Sequence, residues 1–292
     1  MESLLTQGIA NGLVSAGIYI LVALGLALVL SIMGIVQLAH GEIYMLGGYA
    51  AYCLCNVIGL NFFVSVLLSA LLVGCLGVVI EKIFFRPYRG QFDRGMIMAM
   101  GLILLLQSAV QIITGGASVA FTSPLSGVVT VLNIKIPWER LVCVLIGIIL
   151  VAAVFLLIAK TRIGQAMLAV SQDREVASLQ GISVDNVYST AMFLGCALAA
   201  VAGALVGSLY NLNPFMGGSA LMEGIAIIIL GGLGSIPGTI IGGLVIGLLE
   251  GIITPFASAS VAGLVVFGTI ILIMIFRPRG ISGMIGKGSK VG

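Results

Sequence analysis

The chain has 292 residues, of which 60% are apolar and only 8% charged, with a mean hydropathy of +1.27. A soluble domain carries about a quarter charged residues, so bilayer lipid is the solvent this composition calls for. The net charge of +3 is scattered over short connectors, which argues against a nucleic-acid surface, and five cysteines without ligand spacing beside one histidine argue against disulfides or structural zinc.

In hydrocarbon every backbone N–H and C=O must be satisfied internally, and the apolar stretches are too long and too poorly alternating for barrel strands. The expectation is an all-α, polytopic transmembrane helical bundle forming one domain over residues 1–292. Glu2 and the absence of a basic leader place a retained helix, not a cleaved signal, at the start. Runs long enough to span lie at 8–31, 43–58, 62–85, 95–114, 141–159 and 187–209. Residues 222–276 are also mostly apolar but are interrupted at 231–238 and near Thr254-Pro255, which predicts two further spans with a broken segment and about eight in all.

Lysine and arginine gather in three clusters: Lys82, Arg86, Arg89 and Arg94; Lys160, Arg162 and Arg174; Arg277, Arg279, Lys287 and Lys290. The positive-inside rule makes these cytoplasmic, with the N-terminus and a loop at 115–138 outside and the C-terminus in the cytosol. Trp138, at the end of that loop, suits the headgroup level. The 41 glycines recur at helical spacing, as in Gly203 with Gly207 and Gly243, Gly247 and Gly251, which predicts faces where helix backbones approach closely.

Three features stand out against this apolar background. The first is the interruption at residues 37–42, where His40, Gly41 and Glu42 precede an apolar run. Ionisable groups inside a membrane are functional candidates, and Glu42 in the first turn of a helix would be stabilised by the helix dipole; a cap at the cytoplasmic interface is the alternative. The second pairs Glu223 with the run containing Gly231, Gly232, Gly234 and Pro237, where non-helical backbone at membrane depth would line a pathway or form a hinge. Glu250, in an otherwise apolar helix, reads as a packing contact. The third is the stretch 161–186, expected to be cytoplasmic, where Ile163, Met167 and Val170 repeat at helical spacing, Asp173 is placed to cap a second helix and Gly181 to end it. A cytoplasmic helical hairpin with apolar residues on its surface points to a soluble docking partner. The tail around Gly286-Lys287 has the wrong spacing for a phosphate loop, so ATP would not be hydrolysed by this chain, and neither a nucleophile elbow nor a zinc-protease signature occurs.

Residues Leu38-Ala39-His40-Gly41-Glu42 with Met45-Leu46-Gly47-Gly48-Tyr49, then Thr161-Arg162-Ile163-Gly164-Gln165-Ala166 through Gln172-Asp173 to Ala177-Ser178-Leu179-Gln180-Gly181-Ile182, and Leu230-Gly231-Gly232-Leu233-Gly234-Ser235-Ile236-Pro237-Gly238 together resemble one family. That family is the permease subunits of branched-chain amino acid ABC importers, of the type called LivH, and the closing Phe276-Arg277-Pro278-Arg279-Gly280 is similar as well. The resemblance implies a subunit of the bacterial inner membrane that is not an enzyme and holds no cofactor, ATP being bound by partners. Those partners would be a homologous permease, two cytosolic ABC ATPases and a periplasmic solute-binding protein, within membrane lipid and without nucleic acid. It implies import of Leu, Ile or Val by alternating access, with residues 161–186 as the coupling element: Arg162, Gly164, Asp173, Arg174, Glu175 and Gly181 would face the ATPase. His40, Gly41, Glu42, Glu223, Gly231, Gly232, Gly234 and Pro237 would be pathway or hinge residues. Gln165 and Leu168 depart from the family, which often carries arginines there. Urea or short amides as cargo, a self-sufficient secondary transporter and a channel are the competing readings.

Overall fold

The computed structural model describes residues 2–121, 127–131, 134–277 and 280–281. It is a bundle of helices in chain order: α1 Glu2–Met33, α2 His40–Tyr52 continued by a π turn to Val57, α3 Phe62–Ile80 continued by a π turn to Phe85, α4 Phe92–Thr114, and α5 Trp138–Lys160. The short helices α6 Arg162–Gln172 and α7 Arg174–Leu179 follow, then α8 Val184–Leu209, α9 Met216–Gly231, α10 Ile236–Ile253 and α11 Ala259–Phe276. The only sheet among the described residues is a hairpin in the 115–138 loop, where β1 Val128–Val131 pairs antiparallel with β2 Ile134–Pro137.

Successive apolar helices, the short α2 and α9 included, run in opposite directions, which defines two ends. The basic end carries the α3–α4 turn, with Arg86 and Arg89, and the α6–α7 hairpin; the loop end carries the start of α1, the β hairpin and Asn61, whose side chain accepts from Phe63 N to cap α3. A hydrogen bond from Arg140 to Asn11 fixes the starts of α5 and α1 at the same end. Residues 222–276 lie in three helices rather than in two spans and a broken segment, which makes nine apolar helices among the described residues, in keeping with the expected count of about eight. The odd number is what allows the start of α1 and the end of α11 to lie on opposite faces. Arg279, Lys287 and Lys290, used to orient the chain, lie outside the described residues, as does the tail around Gly286.

Glycine brings the helices together. A Cβ added at Gly247 would stand 2.5 Å from the Ala16 backbone, and Gly251 and Gly243 seat likewise against Gly12 and Ile20, so the glycine face of α10 is filled by α1. On the other side of α1, a Cβ at Gly195 of α8 would be 2.8 Å from the Gly25 carbonyl oxygen. Apolar burial gives membrane helices little reason to associate, so backbone approach of this kind supplies the dispersion contact that holds them. The outward faces of α3, α4, α5 and α11 instead carry exposed aliphatics such as Leu72, Leu104, Ile148 and Leu264, as a lipid-facing surface requires.

The packing repeats with inverted symmetry. Helices α1, α2 and α3 form a long, a short and a long element, and α8, α9 and α10 do so again. The contact of α1 with α10 is matched by that of α8 with α3, while Gly25 meets Gly195 and Gly41 meets Gly217 across the axis relating the halves.

Candidate functional site

Two short helices begin inside the bundle. Gly34, with φ of +66°, turns the chain out of α1, and residues 34–39 then run back along the bundle as non-helical backbone before α2 starts at His40. His40 lies against Gly25, where an added Cβ would be 3.0 Å from Nε2; Gly25 is eight residues before the end of α1, about 12 Å up the helix. From the opposite end, residues 210–215 descend from α8, held by the pairing of Val119 with Leu212, and α9 starts at Met216. The two helix starts meet head to head: a Cβ at Gly41 would lie 2.7 Å from the Gly217 carbonyl carbon. The positive dipole ends of α2 and α9 therefore converge in the interior, and Ala39 offers α2 no side-chain cap.

The polar groups of this break are enclosed. Gln37 and His40 are fully buried and Glu42 is 4% exposed, so all three lie within the packed bundle. Both polar atoms of Gln37, both ring nitrogens of His40 and Glu42 Oε2 have no hydrogen-bond partner among the described residues. Buried polar atoms are nearly always paired, and a cluster that is not belongs to a functional or moving part. Gln37 was not singled out from sequence, because a lone amide in a connector carries no signal until burial is known.

Toward the loop end of this meeting point lies a cavity of about 270 Å³. Its polar wall is formed by Tyr19 of α1, Tyr44 of α2, Glu223 of α9 and Glu250 of α10; the Tyr19 phenol interacts with both carboxyl groups. Its apolar wall is formed by Val14, Ile18, Val206 and Ala220. Glu250, expected as a packing contact, is thus a cavity residue, and Tyr19 and Tyr44 join it with no sequence signal beyond their type.

The glycine run is elsewhere. Gly232 and Gly234, with φ of +101° and +81°, make a tight turn between α9 and α10; Ser235 Oγ accepts from Gly238 N at 3.1 Å, and Pro237 occupies the first turn of α10. A Cβ at Gly234 would be 3.5 Å from Ser31, in the last turn of α1, and Ile281 N donates to Leu230 O at 2.8 Å. The turn therefore sits at the basic end of the bundle, not at mid-depth, and Gly231, Gly232, Gly234 and Pro237 are separated from Glu223 by two turns of α9. The non-helical backbone in the interior is 34–39 and 210–215.

Residues 162–179 form two short helices in sequence. Thr161 caps α6 by accepting from Gly164 N at 3.1 Å, Asp173 caps α7 by accepting from Glu175 N and Val176 N at 2.9 and 3.0 Å, and Gly181, with φ of +82°, ends it. Gly164, Met167 and Val170 face the bundle, whereas Ile163 faces outward together with Leu168, Val176 and Leu179, the last 87% exposed. Arg162, Arg174 and Glu175 lie on the same exposed surface.

Where the hairpin enters α8, an ion-pair node joins it to the core. Fully buried Glu81 accepts from Arg89 and, at 2.9 Å, from Ser189 Oγ. Arg89 also pairs with Asp185 and stacks 4.5 Å from the Tyr188 ring centroid, and Arg86 pairs with Asp185. The first turn of α8 is thereby tied to the end of α3 and to the turn that follows it.

The geometry provides a head-to-head pair of interior helix starts, an enclosed polar break, a polar cavity and an exposed amphipathic hairpin, and no cluster of metal-ligating residues occurs among the described ones. This is equipment for moving a solute. The profile of the branched-chain amino acid transport system / permease component family matches residues 8–275. The high-affinity branched-chain amino acid transport system permease protein LivH of Escherichia coli (strain K12) is 32% identical over 95% of both chains, and BraD of Pseudomonas aeruginosa is similar to the same degree over the same shares. The ribose import permease protein RbsC of Haemophilus influenzae is 26% identical over 92% of this chain and 84% of its own. No solved structure matches the chain. With most of its length matched by the profile and by relatives above 30% identity, the chain belongs to the permease component family of branched-chain amino acid transport systems.

Proposed function

We propose that the protein is the membrane-embedded half of an ATP-driven importer for branched-chain amino acids. It pairs with a homologous permease, receives Leu, Ile or Val from a periplasmic binding protein, and is driven by two cytosolic ATPases that bind the ATP. The basic end is cytoplasmic, with the start of α1 outside, in accord with the distribution of lysine and arginine. The observation that carries this reading is the α6–α7 hairpin: it exposes Leu168, Val176 and Leu179 on the basic face, beside Arg162, Arg174 and Glu175, in a chain of this family. Contiguous apolar residues at a polar face are a docking surface.

ATP binding brings the ATPases together and displaces the hairpin; the Glu81–Arg89–Asp185 node passes that displacement to α3 and α8. The 34–39 and 210–215 breaks, with Gly41 against Gly217, then let α2 and α9 shift relative to the long helices, as inverted repeats do in alternating access. His40, Glu42 and Gln37 become pathway or hinge groups whose polar atoms find partners in another conformation, and the 231–238 turn is the hinge of the α9–α10 pair.

Mild-detergent purification of the tagged chain from its native cells, with mass spectrometry of what accompanies it, tests the reading. An ABC ATPase that is recovered with the intact chain and lost when 161–186 is replaced by a polar linker supports it. A chain that purifies alone and still moves solute contradicts it in favour of a secondary transporter or a channel.

A further inference from the structure

The cavity toward the loop end has a chemistry more specific than a passage. Two carboxylates, Glu223 and Glu250, stand in its wall with the Tyr19 phenol between them, and no lysine, arginine or histidine lines it. A second observation is independent of the acids: Tyr44 is 5% exposed, its phenol faces Glu223 and Tyr210, and it makes no hydrogen bond among the described residues. A buried tyrosine that lines a polar cavity and makes no hydrogen bond to the described residues leaves its hydroxyl available to a ligand.

Val14 and Ile18 of α1, Val206 of α8 and Ala220 of α9 add aliphatic surface to the same lining, beside the hydroxyls of Ser15, Ser219 and Tyr210. The volume of about 270 Å³ lies just below the roughly 300–1,000 Å³ of drug-sized sites, so the occupant is small. A ligand that satisfies both the acidic and the aliphatic lining carries a cationic donor group and a short aliphatic chain. An anion would find hydroxyl donors there but would stand against two acidic side chains with no cation to balance it.

We propose that this cavity is a recognition site for a small aliphatic ammonium compound, holding the α-ammonium of the transported amino acid on Glu223, Glu250 and Tyr44 while its side chain lies on the aliphatic lining. The proposal rests on the importer reading for the identity of the cargo. It adds that the permease itself selects for the ammonium group after the binding protein has let go, and that α1, α2, α8, α9 and α10 all touch the same ligand. Any relative movement of the two inverted halves then changes the site, because Tyr19 and Tyr44 belong to one half and Glu223 and Glu250 to the other.

The test is equilibrium binding of radiolabelled 3-methylbutylamine to the purified chain with whatever subunits accompany it. The expected result is saturable binding that is displaced by leucine, is not displaced by 4-methylpentanoate, and is weakened about tenfold to a hundredfold by Glu223→Gln or Glu250→Gln, as the loss of a charge-assisted hydrogen bond predicts. If the glutamine variants fail to fold, the competition pattern on the unsubstituted protein decides by itself. Binding that does not saturate, that leucine leaves in place, that 4-methylpentanoate displaces as well as leucine does, or that folded glutamine variants retain unchanged overturns the proposal. Amine binding in a protein that never moves leucine under ATP would leave the site standing and remove the importer reading, whereas leucine uptake without amine binding would do the reverse.

Discussion

Glu81 has its carboxylate fully enclosed and shared between Arg89 and Ser189, so its stability depends on that guanidinium. Breaking a buried pair by removing one partner strands the other charge, and Arg89→Ala is expected to destabilise the protein by about 3–5 kcal/mol, read as a lowered midpoint in detergent thermal unfolding. Arg86→Ala, whose side chain is 39% exposed, is expected to cost less than about 1 kcal/mol in the same assay. The glycines divide in the same way. Gly247→Ala drives a methyl into the Ala16 backbone, whereas a Cβ at Gly101 meets open space, so only the first should lower the midpoint, by about 1–3 kcal/mol. Which glycines were close-packed was legible as a spacing, but the partners were not. Nothing in the order of residues says that Gly251 meets Gly12 while Gly101 faces outward. For the same reason Glu250 looked like a passive residue: its meaning comes from Glu223 and Tyr19, which lie on other helices.

At the scale of elements, the α6–α7 hairpin was the most legible part, because its signals are local. Thr161 and Asp173 cap through their own side chains, and Gly181 closes α7 with a backbone that other residues resist. Its outer apolar residues are about half exposed or more, Leu179 almost wholly. The paired substitution Leu168→Asp with Leu179→Asp is therefore expected to leave the unfolding midpoint within about 0.5 kcal/mol of the original while abolishing recovery of the ATPase. Loss of stability would instead assign these residues to the fold. The interior breaks were only half legible. The polar run at residues 37–42 announced a break, but its depth depends on where α1 ends, and 210–215 carries no polar group that separates it from an ordinary connector. The glycine run 231–238 misled in the opposite sense, because a tight turn at the end of a bundle and a break inside it use the same residues.

For the whole molecule, the helix count follows from length. Residues 222–276 hold three helices because 16 to 18 residues suffice for elements that start within the bundle or end in tight turns, and a reading based on roughly 20-residue spans merges two of them. The resulting arrangement of the described helices fixes the two ends against each other, which makes sidedness testable. With Cys53, Cys55 and Cys75 changed to serine, a cysteine introduced at Ser178 should react with an impermeant maleimide only from the cytoplasmic side, and one introduced at Val128 only from outside. The inverse pattern would turn the molecule over and place the hairpin beyond the reach of any cytosolic ATPase.

The central claim is that ATP, bound elsewhere, moves an amino acid through this chain by way of the hairpin. Its most direct test is uptake of radiolabelled leucine into proteoliposomes holding the complete co-purified assembly, with ATP inside or outside and the binding protein on the opposite face. The account predicts uptake that requires ATP on the hairpin side, and a fall to background with Leu168→Asp and Leu179→Asp. Leucine uptake that proceeds without nucleotide, or that survives the hairpin substitutions at full rate, would contradict it.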